Sequence, residues 1–456
     1  MAKLFGTDGM RGEAGRFPLD AATMRIAGRS LAQHLATRSA EGIAPRIVMG
    51  RDTRESGAWI ERAFLAGARE AGAQVQSAGV ITTPGVAYLA RTMPADAGVV
   101  ISASHNPYQD NGIKIFAPSG RKLDDATERL IEADIEAEKG NVPAETAPPT
   151  LVDKEEAQQA SGLKSRYLDF LVEEIGNGLS LDGLSIVADC ANGAAFELAP
   201  ALFERLGARV VQINDAPDGR NINRDCGSLH IEGLRQKVLE EGADLGVAFD
   251  GDADRALFVD ARGSFVDGDA TLWVMAQYLD ARKALDGQVV VATVMSNIGL
   301  EKALGSKGLR LLRADVGDKY VLEELLRTGA ALGGEQSGHL IFPRLSLAGD
   351  GMMTTLCVLR AMTESGAKLE ELTAGFTSYP QVLVNVRVRE KRPFDEVEEI
   401  ARAKRDTEEQ LGESGRLLLR YSGTEPLARV MIEGERQDLI EGYAAHLASI
   451  IKTALG

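Results

Sequence analysis

Cysteine is scarce in this chain. It has three among 456 residues, Cys190, Cys226 and Cys357, far apart and with no C-x-x-C pair. That spacing excludes an even-numbered disulfide framework and points to a reducing compartment. Long apolar runs are also lacking: no stretch reaches about 18 residues, so no membrane span is expected. The opening "MAKLFGTDGMRG" has no apolar region of signal-peptide type, and a cytoplasmic location is the expectation. Positive charge is in deficit, with 51 Lys and Arg against 67 Asp and Glu, a net −16. This argues against general binding to nucleic acid or to an anionic membrane. An anionic substrate would need a locally positive site.

Much else is present. The length exceeds what one core sustains, roughly 250–300 residues, so several domains are expected. Hydrophobic content of 44% and charged content of 26% are ordinary for a globular protein. Glycine is generous at 49 residues, which suits many strand-to-loop turns. Short apolar runs ending in small polar residues recur at 46–54, 98–106, 184–193, 243–252 and 287–297, with amphipathic helical stretches between them such as 59–72 and 167–178. Strands alternating with helices predict α/β units with mainly parallel sheets, and ligands gather at the carboxyl ends of such strands. The segment 136–162, rich in Pro, Ala and charge, reads as a linker. Alternating valines from 377 to 388 open a half-buried antiparallel strand. The chain thus divides into three α/β domains, 1–160, 161–258 and 259–375, and a smaller α+β domain, 376–456.

Four loops carry chemistry. "ISASHNP" places Ser104 beside His105 and Asn106, with Lys114 ten residues on. A serine needs activation or prior phosphorylation to react. A Ser-His hydrolase is one reading, although the G-x-S-x-G elbow is missing. A hydrogen-bonded turn ending at Pro107 is another. In "FDGDADR" the alternating Asp250, Asp252 and Asp254 would share one face of an extended chain and repel without a cation, of which Mg²⁺ fits oxygen ligands first. An EF-hand is rejected, because its sixth position is Arg255 rather than Gly and its twelfth Ala261 rather than Glu. A solvated acidic turn remains open. "GEQSGH" offers Glu335, Ser337 and His339, which suit sugar hydroxyls or an amine, or form a polar β-turn. "RYSGTEPLAR" offers Arg420, Ser422, Gly423, Thr424 and Arg429 as an anion cradle, or as a hairpin turn with surface arginines.

In this order the four loops resemble those of the α-D-phosphohexomutase superfamily. "FGTDGMRG", "GRDTRESG", "DCANGAA", "NINRDCGSLH" and "VGDKYV" extend the resemblance over essentially the whole chain. It implies four domains around a central cleft, the first three alike with mixed sheets. It implies that Ser104 is phosphorylated, Ser102 being only a neighbour, and that Asp250, Asp252 and Asp254 hold Mg²⁺ together with the Ser104 phosphate. Arg255 would neutralise phosphate. Arg11 and Lys114 would flank the phosphoserine and assist proton transfer, Lys114 as a base of lowered pKa. Glu335 and Ser337 would bind the sugar, with the catalytic His339 nearby. Arg420, Ser422, Gly423, Thr424 and Arg429 would grip the non-reacting phosphate.

The "EQS" form resembles the glucosamine members, which implies interconversion of glucosamine 6-phosphate and glucosamine 1-phosphate through a 1,6-bisphosphate that turns around beneath a C-terminal lid. Leu229 and Ala348 depart from the usual threonines. Glucose or mannose phosphates are the alternative substrates, and a Mg-dependent phosphatase using Asp250 as nucleophile is the rival chemistry. The partners implied are a small sugar phosphate and, as in similar proteins, a second copy of the chain as a homodimer, with no nucleic acid and no membrane. The product would feed cell-wall amino-sugar polymers.

Overall fold

The five apolar runs form strands, and every sheet they enter is mixed rather than mainly parallel. A computed structural model describes residues 3–38, 42–140, 154–422 and 425–456. The chain gathers into two compact units, one of 1–293 and 314–374, the other of 294–313 and 375–456. In the first unit, Arg46–Arg51 runs parallel to Gln74–Val80 and Ala97–Ile101, and antiparallel partners Asp110–Phe116 and Gly9–Glu13 continue the sheet. A second sheet sets Ser185–Asp189 parallel to Arg209–Ile213 and Leu245–Phe249, then adds Ala256–Asp260 and Phe265–Val266 antiparallel. In a third, Val289–Thr293 runs parallel to Gly333–Gly334, which pairs back on Leu340–Ile341. The antiparallel partner of Leu245–Phe249 arises because the tight polar turn "DGDADR" returns the chain at once, without a crossover helix.

Helices cover these sheets. Ala21–Ala36 and Gly57–Glu70 approach so closely that a Cβ on Gly67 would lie 1.8 Å from the carbonyl oxygen of Arg25, a contact only glycine permits. The expected linker is half helix: Lys154–Phe170 spans the division proposed at 160, and residues 141–153 lie outside the described residues. Its Glu, Gln, Ala and Lys are strong helix formers, and Leu163, Tyr167 and Phe170 anchor it by burial. The second sheet likewise continues past 258, through Ala256–Asp260 and Phe265–Val266.

The anchoring has a measurable electrostatic consequence. The buried Tyr167 hydroxyl donates to Asp350 Oδ2 at 2.7 Å, and Asp350 Oδ1 caps the helix Gly351–Ser365 by accepting from the Met353 N–H at 2.9 Å. Burial pushes the Asp350 carboxyl up to about 6, against the pull of these hydrogen bonds. A proton on Asp350 therefore favours the folded chain. That contribution is complete below about pH 4 and is lost as pH rises through about 6. Asp350→Asn, which retains a good cap, should gain on the wild type by up to about 3 kcal/mol between pH 4 and pH 8. Urea denaturation at the two pH values checks this.

The second unit holds an antiparallel sheet, with Leu427–Gly434 between Gln381–Arg387 and Gly415–Tyr421. The helices Glu398–Leu411 and Gln437–Leu455 pack on it around Val430, Ile432 and Leu447. No described helix is long and apolar enough to cross a membrane.

Candidate active site

Ser104 follows the fully buried strand Ala97–Ile101 and takes φ +52°, a left-handed conformation uncommon outside glycine. Its Oγ lies 2.5 Å from Asp250 Oδ2 and 3.3 Å from His105 Nδ1. Asp250, Asp252 and Asp254 follow the buried strand Leu245–Phe249. They converge through a coiled turn, with Ala253 at φ +55°, rather than along an extended face. One oxygen from each of these buried residues falls within 4.8 Å of the others. Gly251 permits the meeting of the two loops: a Cβ there would stand 2.5 Å from the Ser104 carbonyl oxygen.

Cations interleave with the carboxylates. The buried Lys114 Nζ lies 2.9 Å from Asp252 Oδ2, 3.2 Å from Asp254 Oδ2 and 3.1 Å from Asp8 Oδ2. Burial works against its charge, but Asp252, Asp8 and Asp254 prevail and hold its pKa well above the ordinary lysine range. This corrects the expectation of a lowered pKa, which counted the cations nearby and not the three carboxylates. Burial raises the Asp250 carboxyl, and Asp254 and Asp252 push it further the same way. Asp254 is held low despite burial, chiefly by Lys114 and His339. His339, whose Nδ1 lies 3.7 Å from Asp254 Oδ1, is likewise raised to about 9 against its burial. Arg255 Nε lies 3.8 Å from Asp254 Oδ1, and Arg11 pairs with Asp8.

The "GEQSGH" loop is the hairpin between Gly333–Gly334 and Leu340–Ile341. Glu335 Oε1 accepts from the Gly317 N–H at 3.2 Å, and the buried Ser337 Oγ has no hydrogen-bond partner. A cavity of about 530 Å³ is lined among others by Asp8, Lys114, Lys122, Asp254, Asp318 and, from this loop, His339, but not by Glu335 or Ser337. That volume suits a small polar ligand.

In the second unit Arg420 stands directly opposite Arg429 across the strand pair, where like charges are destabilising unless an anion joins them. The buried Ser422 Oγ accepts from the Glu425 N–H at 3.3 Å and lies 3.4 Å from Arg429 Nη2. Lys391 Nζ donates to the Ser422 carbonyl at 2.6 Å. Gly423 and Thr424 lie outside the described residues.

Sequence reasoning missed several neighbours. Asp8 pairs with Lys114 and Lys122, and Thr83 Oγ1 donates to Asp252 Oδ2 at 2.6 Å. Asp52, Arg54 and Asn223 contact the Ser104 loop or its supports. For Asp8, Asp52, Arg54 and Asn223 the only sequence signal was membership in "GTDG", "GRDTR" and "NINRD", and Thr83 had none.

The acidic trio fits a hard divalent cation. Asp252 Oδ1 and Asp254 Oδ1 are buried and receive no hydrogen bond. Such orphan oxygens, in an all-oxygen set, are what Mg²⁺ takes up.

Four domain models of the phosphoglucomutase/phosphomannomutase family together match most of the chain. Alpha/beta/alpha domain I matches residues 2–141, domain II 165–263, domain III 267–379 and the C-terminal domain 383–450. The chain belongs to this family of phosphohexomutases, which are isomerases. It is 50% identical to the phosphoglucosamine mutase of Solibacter usitatus, over 100% of both chains. It is 46% identical to the phosphoglucosamine mutase of Anaeromyxobacter sp., over 100% of this chain and 96% of that one. The fold is that of a phosphoglucomutase/phosphomannomutase family protein from Burkholderia thailandensis, at a TM-score of 0.78 and 24% identity over 99% of this chain and 97% of that one.

Proposed function

We propose that the chain interconverts glucosamine 6-phosphate and glucosamine 1-phosphate through a phosphoserine at Ser104 and a 1,6-bisphosphate. The observation that carries this reading is the approach of Ser104 Oγ to Asp250 inside a buried carboxylate trio. The full-length similarity to two phosphoglucosamine mutases supports the amino sugar.

Asp250, Asp252 and Asp254 would hold Mg²⁺, which when bound offsets the charge on the transferring phosphoryl group. The bond from phosphorus to Ser104 Oγ breaks as one to the free sugar hydroxyl forms, and one proton passes from that hydroxyl to Ser104 Oγ. Lys114 and Arg11 assist this proton transfer, Lys114 as a fixed positive charge, because its raised pKa keeps the proton on Nζ. Arg255 and His339 add positive charge around the reacting oxygens, and Glu335 and Ser337 hold the sugar. Arg420, Ser422, Gly423, Thr424 and Arg429 grip the phosphate that does not react. The second transfer, from the other end of the bisphosphate, restores phospho-Ser104.

Turnover on glucosamine, glucose and mannose 1-phosphates tests the reading. The amino sugar should be favoured by at least about tenfold in kcat/KM, the scale of one good polar contact. Equal or better turnover of the neutral sugars would overturn the assignment.

A further inference from the structure

Arg54 is wholly buried, four residues past the start of "GRDTR" and fifty before Ser104. Its Nε donates to Asp52 Oδ2 at 2.9 Å. Nη2 donates to the carbonyls of Ser104 at 2.9 Å and Asn106 at 2.8 Å. Nη1 donates to those of Asp110 at 3.0 Å and Pro107. All five guanidinium donors are thus used, and four of them go to one loop. None remains for a substrate.

The other side of the Ser104 peptide is held through the same carboxylate. The Ser104 N–H donates to Ser102 Oγ at 2.9 Å, and the Ser102 hydroxyl donates to Asp52 Oδ2 at 2.6 Å. From the loop that follows Arg209–Ile213 of the second sheet, Asn223 Nδ2 also donates to the Ser104 and Asn106 carbonyls, at 2.9 and 3.0 Å. Both polar backbone atoms of Ser104 are therefore tied to the Asp52–Arg54 pair. A serine in the left-handed region persists only where its surroundings over-determine it.

We propose that Arg54, Asp52 and Ser102 are positioning residues that fix the Ser104 backbone in its left-handed conformation and so aim Oγ for in-line phosphoryl transfer. The role rests on the reaction proposed above. Ser102 is then a working part of the loop and not merely a neighbour of the nucleophile. A misplacement of about 1 Å at a reacting centre costs on the order of 10²-fold in rate.

The test uses the full-length protein with Mg²⁺ and glucosamine 1-phosphate. Ser102→Ala should lower kcat by about 10²-fold with KM unchanged and shift the ³¹P resonance of phospho-Ser104. Arg54→Lys, which supplies at most three of the five donors, should do the same if it folds, and Ser102→Ala decides the matter if it does not. The proposal is overturned if Ser102→Ala retains wild-type kcat, or loses activity only through a raised KM, while Ser104→Ala is inactive. Full activity in Ser104→Ala would instead overturn the reaction itself.

Discussion

Ser104→Ala should abolish turnover, by at least about 10⁴-fold, as removal of a covalent nucleophile does. Intact-mass analysis should show a phosphate on the purified wild type and none on the variant. The Ser102 and Thr83 hydroxyls are already engaged by carboxylates. Ser102 donates to Asp52, and Thr83 donates to Asp252. Ser104→Thr should be no rescue, although it keeps a hydroxyl. Position 104 has φ +52°, where a β-branched residue is a genuine outlier. A phosphate that persists in Ser104→Ala, or a Thr variant of full activity, would place the nucleophile elsewhere.

The second large effect concerns the carboxylate trio, where activity and stability should move in opposite directions. Asp250→Asn should reduce kcat by at least about 10³-fold, corresponding to several kcal/mol of lost charge stabilisation. In the presence of a chelator the same variant should be at least as stable as the wild type. Burial and the charges of Asp254 and Asp252 raise the Asp250 carboxyl, so its ionisation costs folding energy that asparagine avoids. Saturating Mg²⁺ should stabilise the wild type, by about 2.7 kcal/mol at a hundred times Kd, and should leave Asp250→Asn nearly unmoved. Thermal melting with and without the cation measures both. A variant destabilised under chelation and still shifted by Mg²⁺ would show that the trio is a structural cluster and not a cation site.

These assignments began from local patterns, and the sequence was informative where chemistry and chain order coincide. The run 243–252 reads as a buried strand delivering carboxylates, and Leu245–Phe249 does so. The run 98–106 reads as a strand delivering serines, and Ala97–Ile101 does so. What was illegible depends on contacts between distant segments. Nothing in "GRDTR" says that Arg54 will be sealed from water beneath a loop fifty residues on. Nothing around Lys114 says that Asp8, Asp252 and Asp254 will surround it. A proton affinity is set by the sum of such neighbours, so the direction of the Lys114 shift could not be read from a motif. The helix Lys154–Phe170 was missed for a different reason: its three buried anchors are diluted by a polar face, so composition resembled a linker.

The approach of Gly251 to the Ser104 carbonyl, where a single methyl group would not fit, bears on how a hexose phosphate gets in and out. Together with the Asn223 amide, the Thr83 hydroxyl and the Lys114 ammonium, it stitches the first and second sheets of the same unit along one dry seam that runs through the reacting groups. Prising those two layers apart would sever the seam at each catalytic cycle. Opening at the seam would cost all of these contacts at once, so the two sheets are expected to move together as the sugar enters and leaves.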